Sequence, residues 1–265
     1  LRWAIGGRHA DRLEVVRRAL EASAHPPVNT VLADALDPVA MHELAASTRT
    51  VLSTVGPYAR YGTALVEACA EHGTHYADLT AEVTWMRAMV DAHHERAQAT
   101  GARIVHGAGF DSVPSDLGVW VVQRTAVERY GRAAERIDHS FGPLRGGVSG
   151  GTLQSAFDLA DHAAHDPAFR RALANPDLLA PQGAASSDPL GPLWPRKDAA
   201  QAGWTAPFVM AAANAKVVRR TRHLLGEPWG AVTYLERLHQ ATWARAAGVG
   251  VATAAAAAIL GFAPT

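Results

Sequence analysis

Short apolar runs and amphipathic stretches take turns along the first hundred residues. The run at 3–6 (WAIG) predicts a strand, and helical spacing follows over 11–22. Residues 29–33 (NTVLA) predict the next strand. A helix is expected over 38–46, with Asp37 as its N-cap and Pro38 in its first position. Residues 50–54 (TVLST) predict a strand that Gly56 and Pro57 break, followed by a helix over 62–72. A short strand is expected over 75–79, a long helix over 82–100 closed by Gly101, and another strand over 103–106. Strand and helix in alternation mark a parallel sheet with crossover helices. The fold class expected is therefore α/β, with a Rossmann-like domain over 1–118.

Past Asp116 the rhythm changes. Helical spacing over 117–130, a strand pattern over 134–141 and a glycine-rich turn over 145–151 lead into a helix over 152–165. Residues 175–207 are rich in Pro, Gly, Ser and Asp and carry no period. Helical spacing returns over 208–225. This predicts an α+β substrate domain over 119–265, with the boundary inside 117–130. The last twenty residues, 246–265, carry no charge and are mostly Ala and Gly. Two readings fit them: a buried helix of the second domain, or a helix touching a membrane through 246–263.

Composition narrows the function classes. Of 265 residues, 48% are hydrophobic, enough for a sizeable core. Formal net charge is zero, which removes the basic field that nucleic-acid binding requires. Lys197 and Lys216 are the only lysines, so nearly all cationic chemistry rests on Arg. The single cysteine, Cys69, excludes an internal disulfide and a cysteine-based zinc site, and its apolar helical setting predicts an inert buried thiol. That usage fits the cytoplasm. The thirteen His show no metal-ligand spacing. No Tyr has a Lys four residues on, and H-E-x-x-H does not occur.

Four stretches carry candidate chemistry. At Gly6-Gly7-Arg8 a strand ends where a second strand of a doubly wound sheet faces the adenosine ribose. Arg8 there reads either as the group that accepts an NADP 2′-phosphate or as a solvated turn residue. Ser53, Thr54, Val55, Gly56, Pro57 and Tyr58 form a strand end and turn whose backbone can lie against a dinucleotide. Asp78 closes the following strand and reads equally as a crevice residue or a turn cap. In HGAGFDSVPSDLG, residues 106–118, Ser115 or Asp116 can cap the next helix, whereas Asp111 stands where a reactive ring is expected. GGVSGGTLQSAFD, residues 146–158, is a small-residue turn into a helix N-terminus, suited to an anion or to nothing beyond a tight turn.

IGGRHADRLE, STVGPYARYGTALVEACAEHGTHYADLTAE, HERAQATGARIVHGAGFDSVPSDLG and GGVSGGTLQSAFDL together resemble the saccharopine dehydrogenase-like oxidoreductases, closest to the mycobacterial-type trans-acting enoyl reductases. The resemblance runs from residue 2 to about residue 225. It implies a Rossmann domain using NADP and a mixed substrate domain. It also implies reduction of a carbon–carbon double bond on an acyl or polyketide lipid intermediate carried by a partner synthase. By position, Gly6 and Arg8 would meet the 2′-phosphate end. Ser53 to Tyr58 and Asp78 would line the cofactor, and Gly109, Phe110, Asp111 and Ser112 would sit near the nicotinamide. Asp111, Ser112 and Tyr58 are the proton-donor candidates.

Family members open on an apolar strand and a glycine-rich turn that cradles the pyrophosphate, a unit absent here. The expectation is a fragment truncated at the N-terminus, and at the C-terminus as well, with the absent strand belonging between the strands at Trp3 and Val51. Two further readings stay open: a non-catalytic scaffold of the same fold, and a saccharopine-type amino-acid dehydrogenase.

Overall fold

The computed structural model describes residues 3–23, 27–110, 112–142, 150–181, 194–198, 201–226 and 232–259. Its contacts define two units: Leu1–Asp78 with Ala88–His106, and Leu79–Arg87 with Gly107–Thr265.

The first unit opens with β1 (Ala4–Gly7), α1 (Ala10–Ala22), β2 (Asn29–Leu32) and α2 (Pro38–Ala46). Asp37 caps α2 as its sequence dictates, its carboxylate accepting from the amides of Val39 and Ala40. There follow β3 (Thr50–Ser53), the one-turn α3 (Tyr58–Tyr61), α4 (Thr63–His72), β4 (His75–Asp78), α5 (Val83–Thr100) and β5 (Ile104–Val105). The first turn of α5 groups with the second unit. β1 and β2 form one parallel pair, and β3, β4 and β5 form a separate parallel sheet in that order.

Packing in this unit centres on α4, which buries Leu65, Val66, Ala68, Cys69 and Ala70 beside Met41 and Ala45 of α2. Cys69 has no exposure, and burial pushes its thiol up to about 12. It is the inert core thiol its setting predicts. Gly73 ends α4 in the left-handed conformation, and Thr100 Oγ1 donates to Ala70 O, tying the ends of α4 and α5 together.

The second unit holds α6 (Val113–Tyr130), β6 (Arg136–Phe141), α7 (Gly150–His165), α8 (Pro167–Ala174), β7 (Arg196–Lys197), β8 (Trp204–Pro207), α9 (Ala211–Leu225), β9 (Thr233–Gln240) and α10 (Trp243–Ile259). Its sheet runs β6-β9-β8-β7, with β6 parallel to β9 and the other pairs antiparallel. Val119 of α6, Val218 of α9, Val232 just ahead of β9 and Tyr234 of β9 form its core, with Ile137 and Ala215 packed against them. α10 packs on β8 and β9, and Ala246 is fully buried. No helix among the described residues is long and apolar enough to cross a membrane.

Gly73 is the sharpest test of the first unit's geometry. Its φ is +71°, and a Cβ built there would lie 2.9 Å from the backbone oxygen of Thr100. Gly73→Ala is expected to lower the free energy of unfolding by about 1–3 kcal/mol in a urea titration, with the m-value unchanged.

Candidate functional site

In the β3-β4-β5 sheet the register decides which side chains meet. Ser53 pairs with Asp78, while Tyr76 and Ala77 pair with Ile104 and Val105. Continuing that offset by one residue brings Asp78 opposite His106, just past the end of β5. Their side chains bond directly: His106 Nδ1 lies 2.7 Å from Asp78 Oδ2. Asp78 has no exposed surface, and the His106 side chain is 6% exposed. Removing one partner of such a pair costs about 3–5 kcal/mol, because a charge is then left buried and unmatched.

Tyr76 shares this strand face. Its ring stands edge-on to His106 with centroids 5.9 Å apart. The Tyr76 hydroxyl is buried and has no hydrogen-bond partner. Burial, reinforced by the neighbouring Asp78 charge, pushes that phenol well above its ordinary value, so it stays protonated. The turn after β3 folds back on the same region. The Tyr58 hydroxyl donates to Ser53 O at 3.1 Å, and the Val55 amide donates to Ser53 Oγ at 3.4 Å. The Gly56-Pro57 peptide is cis. Ser53, Pro57 and Tyr58 are buried, while Thr54 and Val55 are exposed. The structure thus brings Ser53, Tyr58 and Asp78 together at the carboxyl ends of parallel strands, the side on which open α/β sheets bind ligands.

Gly6 and Arg8 lie at the carboxyl end of the other parallel pair. Both are exposed, and the Arg8 Nε donates to His9 Nε2 at 3.2 Å. Among the described residues no carboxylate pairs with Arg8. An unmatched guanidinium at a strand end fits a bound phosphate, and this is the observation on which the chain's fit to a 2′-phosphorylated nucleotide rests.

The remaining expected site residues fall in the second unit, except that Asp111 lies outside the described residues. Gly109 packs so closely on Leu79 that an added Cβ would sit 3.1 Å from Leu79 Cδ2, and Phe110 is exposed with its ring edge against Phe141. The turn over 146–149 also lies outside the described residues. Ser112, not Ser115 or Asp116, is the residue before α6, and it makes no capping bond with its side chain. Its hydroxyl instead donates to Asn214 Oδ1 of α9 at 2.9 Å. Asn214 Nδ2 and Ser115 Oγ both donate to Glu236 Oε1 of β9, at 3.1 and 2.6 Å. The motif's serines therefore clamp α6 to α9 and β9 through a wholly buried network.

Glu236 Oε2 is buried without a partner. Burial raises the Glu236 carboxyl above the carboxylate range, against the bonds from Ser115 and Asn214 that pull it down. Asp116 is raised for the same reason, opposed by Thr221, whose Oγ1 donates to Asp116 Oδ2 at 3.0 Å. His106, Asn214 and Glu236 are the participants that sequence reasoning missed. The only signal for His106 was its place just before the Gly107-to-Asp111 turn.

Residues 2–105 match the family described as the saccharopine dehydrogenase NADP binding domain. Over 240 residues the chain is 43% identical to a protein of Mycobacterium tuberculosis (strain H37Rv) named as a trans-acting enoyl reductase, covering 86% of this chain and 56% of the relative. It is 40% identical over 243 residues to the trans-acting enoyl reductase of Mycobacterium leprae, covering 86% and 56%. The chain spans a little over half the length of these relatives.

The buried carboxyl of Glu236 sets a pH dependence. Its folded-state value is raised, so its contribution to stability is present below the unfolded carboxylate value and fades as pH rises through the folded one. Asp116 acts in the same direction. Thermal unfolding followed from pH 4 upward is expected to show Tm declining through this window in the wild type. The decline should be shallower, and carried by Asp116 alone, in Glu236→Gln.

Proposed function

We propose, from the premise that residues 2–105 belong to the saccharopine dehydrogenase NADP-binding domain family, that this chain binds NADPH and acts as a trans-acting enoyl reductase on an acyl or polyketide lipid intermediate. The identity of 43% to a relative so named supports the reaction class, and the family match supports the cofactor. The acyl chain would arrive attached to a partner synthase, as the word trans-acting in the relatives' names suggests.

The single observation carrying the nucleotide reading is Arg8, a guanidinium with no carboxylate partner among the described residues, at the carboxyl end of a parallel strand in that domain. Gly6, with no side chain, leaves the approach to Arg8 open, and Arg8 would hold the 2′-phosphate with two parallel N–H bonds. The exposed backbone at Thr54 and Val55, with the turn through Gly56, Pro57 and Tyr58, would line the nucleotide beside Ser53 and Asp78. When bound, NADPH supplies the hydride for the β-carbon of the double bond. The chain itself must supply the electrostatic complement to the phosphate, the shape of the crevice and a proton.

Fluorescence titration of the full chain with NADPH and NADH tests this. Arg8→Ala is expected to weaken NADPH by about tenfold or more while leaving NADH within about twofold, because only NADPH carries the phosphate that a charge-assisted bond rewards. Equal losses for both nucleotides would remove Arg8 from the phosphate site, and an absence of binding by the folded wild type would remove the nucleotide site altogether.

A further inference from the structure

We propose that His42 of α2 and His72 of α4 together form a binding site for a divalent transition cation of the zinc class. The two residues are 30 positions apart, so no ligand spacing is legible in the chain, yet His42 Nδ1 lies 3.3 Å from His72 Nε2. The ring centroids are 5.4 Å apart with the planes inclined at 72°, so the two nitrogens are the near edges of their rings. Two nitrogens bound at about 2.0–2.1 Å to one tetrahedral ion stand about 3.3–3.4 Å apart, which is the spacing found here. Among the described residues no cluster of three or more His, Cys, Asp and Glu is placed to hold a metal. The protein therefore supplies two ligands, and water supplies the others. Glu71 Oε2, 3.7 Å from the same His42 Nδ1, puts a negative charge beside the ion without being counted as a ligand.

Packing beneath the pair holds the two rings near each other. His42 follows Met41 and stands one turn before Ala45, and both of those are buried where α2 meets α4. His72 is the last residue of α4, whose end Gly73 fixes in the left-handed conformation. Two residues on, Thr74 Oγ1 donates to Ala45 O at 2.7 Å, which ties the end of α4 back to α2. Ligands carried on packed helices start close to the geometry an ion needs, so little is spent in ordering them. The site is also open to entry, since the His42 and Glu71 side chains are 36% and 45% exposed. Coordination takes the lone pairs of His42 Nδ1 and His72 Nε2 and leaves the ring protons on His42 Nε2 and His72 Nδ1. Imidazole with water suits Zn²⁺, Cu²⁺ and Ni²⁺, whereas Mg²⁺ and Ca²⁺ require oxygen ligands. One ion bridging the rings would clip α2 to α4 and stabilise the folded unit by mass action.

The test is calorimetric titration of the full chain, first stripped with a chelator, using ZnCl₂ as the probe. A site with a Kd of about 100 μM or tighter is expected at one ion per chain, unchanged by excess MgCl₂. His42→Gln and His72→Gln should each weaken it by at least about tenfold. The double variant should bind no more weakly than either single one, because removing one ring leaves only a lone imidazole. Both side chains lie at the surface, so without metal the variants should unfold at the wild-type temperature. Added ZnCl₂ should raise that temperature in the wild type alone. In nitrogen-15 NMR of the histidines, Zn²⁺ should shift His42 Nδ1 and His72 Nε2 and leave His94 of α5 unmoved. The proposal is overturned if the folded wild type shows no saturable Zn²⁺ binding or if the double variant binds as the wild type does. It is equally overturned if the two single losses add, which would mean two independent rings, or if other ring nitrogens carry the shift.

Discussion

A carboxylate with no access to water has to be matched by a donor, and Asp78 is matched by His106. That requirement organises the first unit. To reach Asp78, His106 must follow β5 in one register only, and a slip of a single residue would turn both side chains to opposite faces of the sheet. The same register sets Ser53 beside Asp78 and lets Tyr58 close back over Ser53. A buried pair of this kind is weak evidence for stability, since desolvation offsets much of the attraction.

The second unit applies the same physics to a different end. Glu236 sits in the core beside Tyr234, and two donors satisfy one of its oxygens. Ser112 and Ser115 come from the stretch that most resembles a functional loop, yet in this structure they join the start of α6 to α9 and β9. A glycine-and-serine motif can thus be fixed by the need to seat a helix on a sheet. The turn ahead of it holds Gly107 in the left-handed conformation and presses Gly109 against Leu79.

Much of the architecture was legible in the chain, for identifiable reasons. The Asp37-Pro38 pair marks a helix start, and Gly101 closes a helix where the apolar period ends. The same Asp-Pro signal stands at Asp166 and Pro167, where the Asp166 carboxylate caps α8, and that helix was passed over. α6 was expected from residue 117 and begins at Val113, because Pro114 sits in the first turn, where its missing N–H costs nothing. β9 escaped because Tyr234, Leu235 and Glu236 are all buried in succession, so no period of two exists to be read. Strands in the first unit were visible as apolar runs, but the run does not report burial: Leu32, Leu52 and Val105 are exposed. Ser53 and Asp78 end β3 and β4, and Arg8 follows β1, the positions the apolar runs predict. His106 was not legible, since its partner lies 28 residues earlier and only the β4–β5 register joins them.

The account's central claim is that the carboxyl ends of the first unit's parallel strands form the nucleotide site, with Arg8 at one strand end and the Asp78–His106 pair at another. Hydrogen–deuterium exchange of the full chain, with and without saturating NADPH, measures this most directly. Slowed exchange at Gly7 and Arg8, through the turn over 54–56 and at Asp78 is the result predicted. Protection confined to α6 and α9, or unchanged exchange at these strand ends despite saturation, would contradict it.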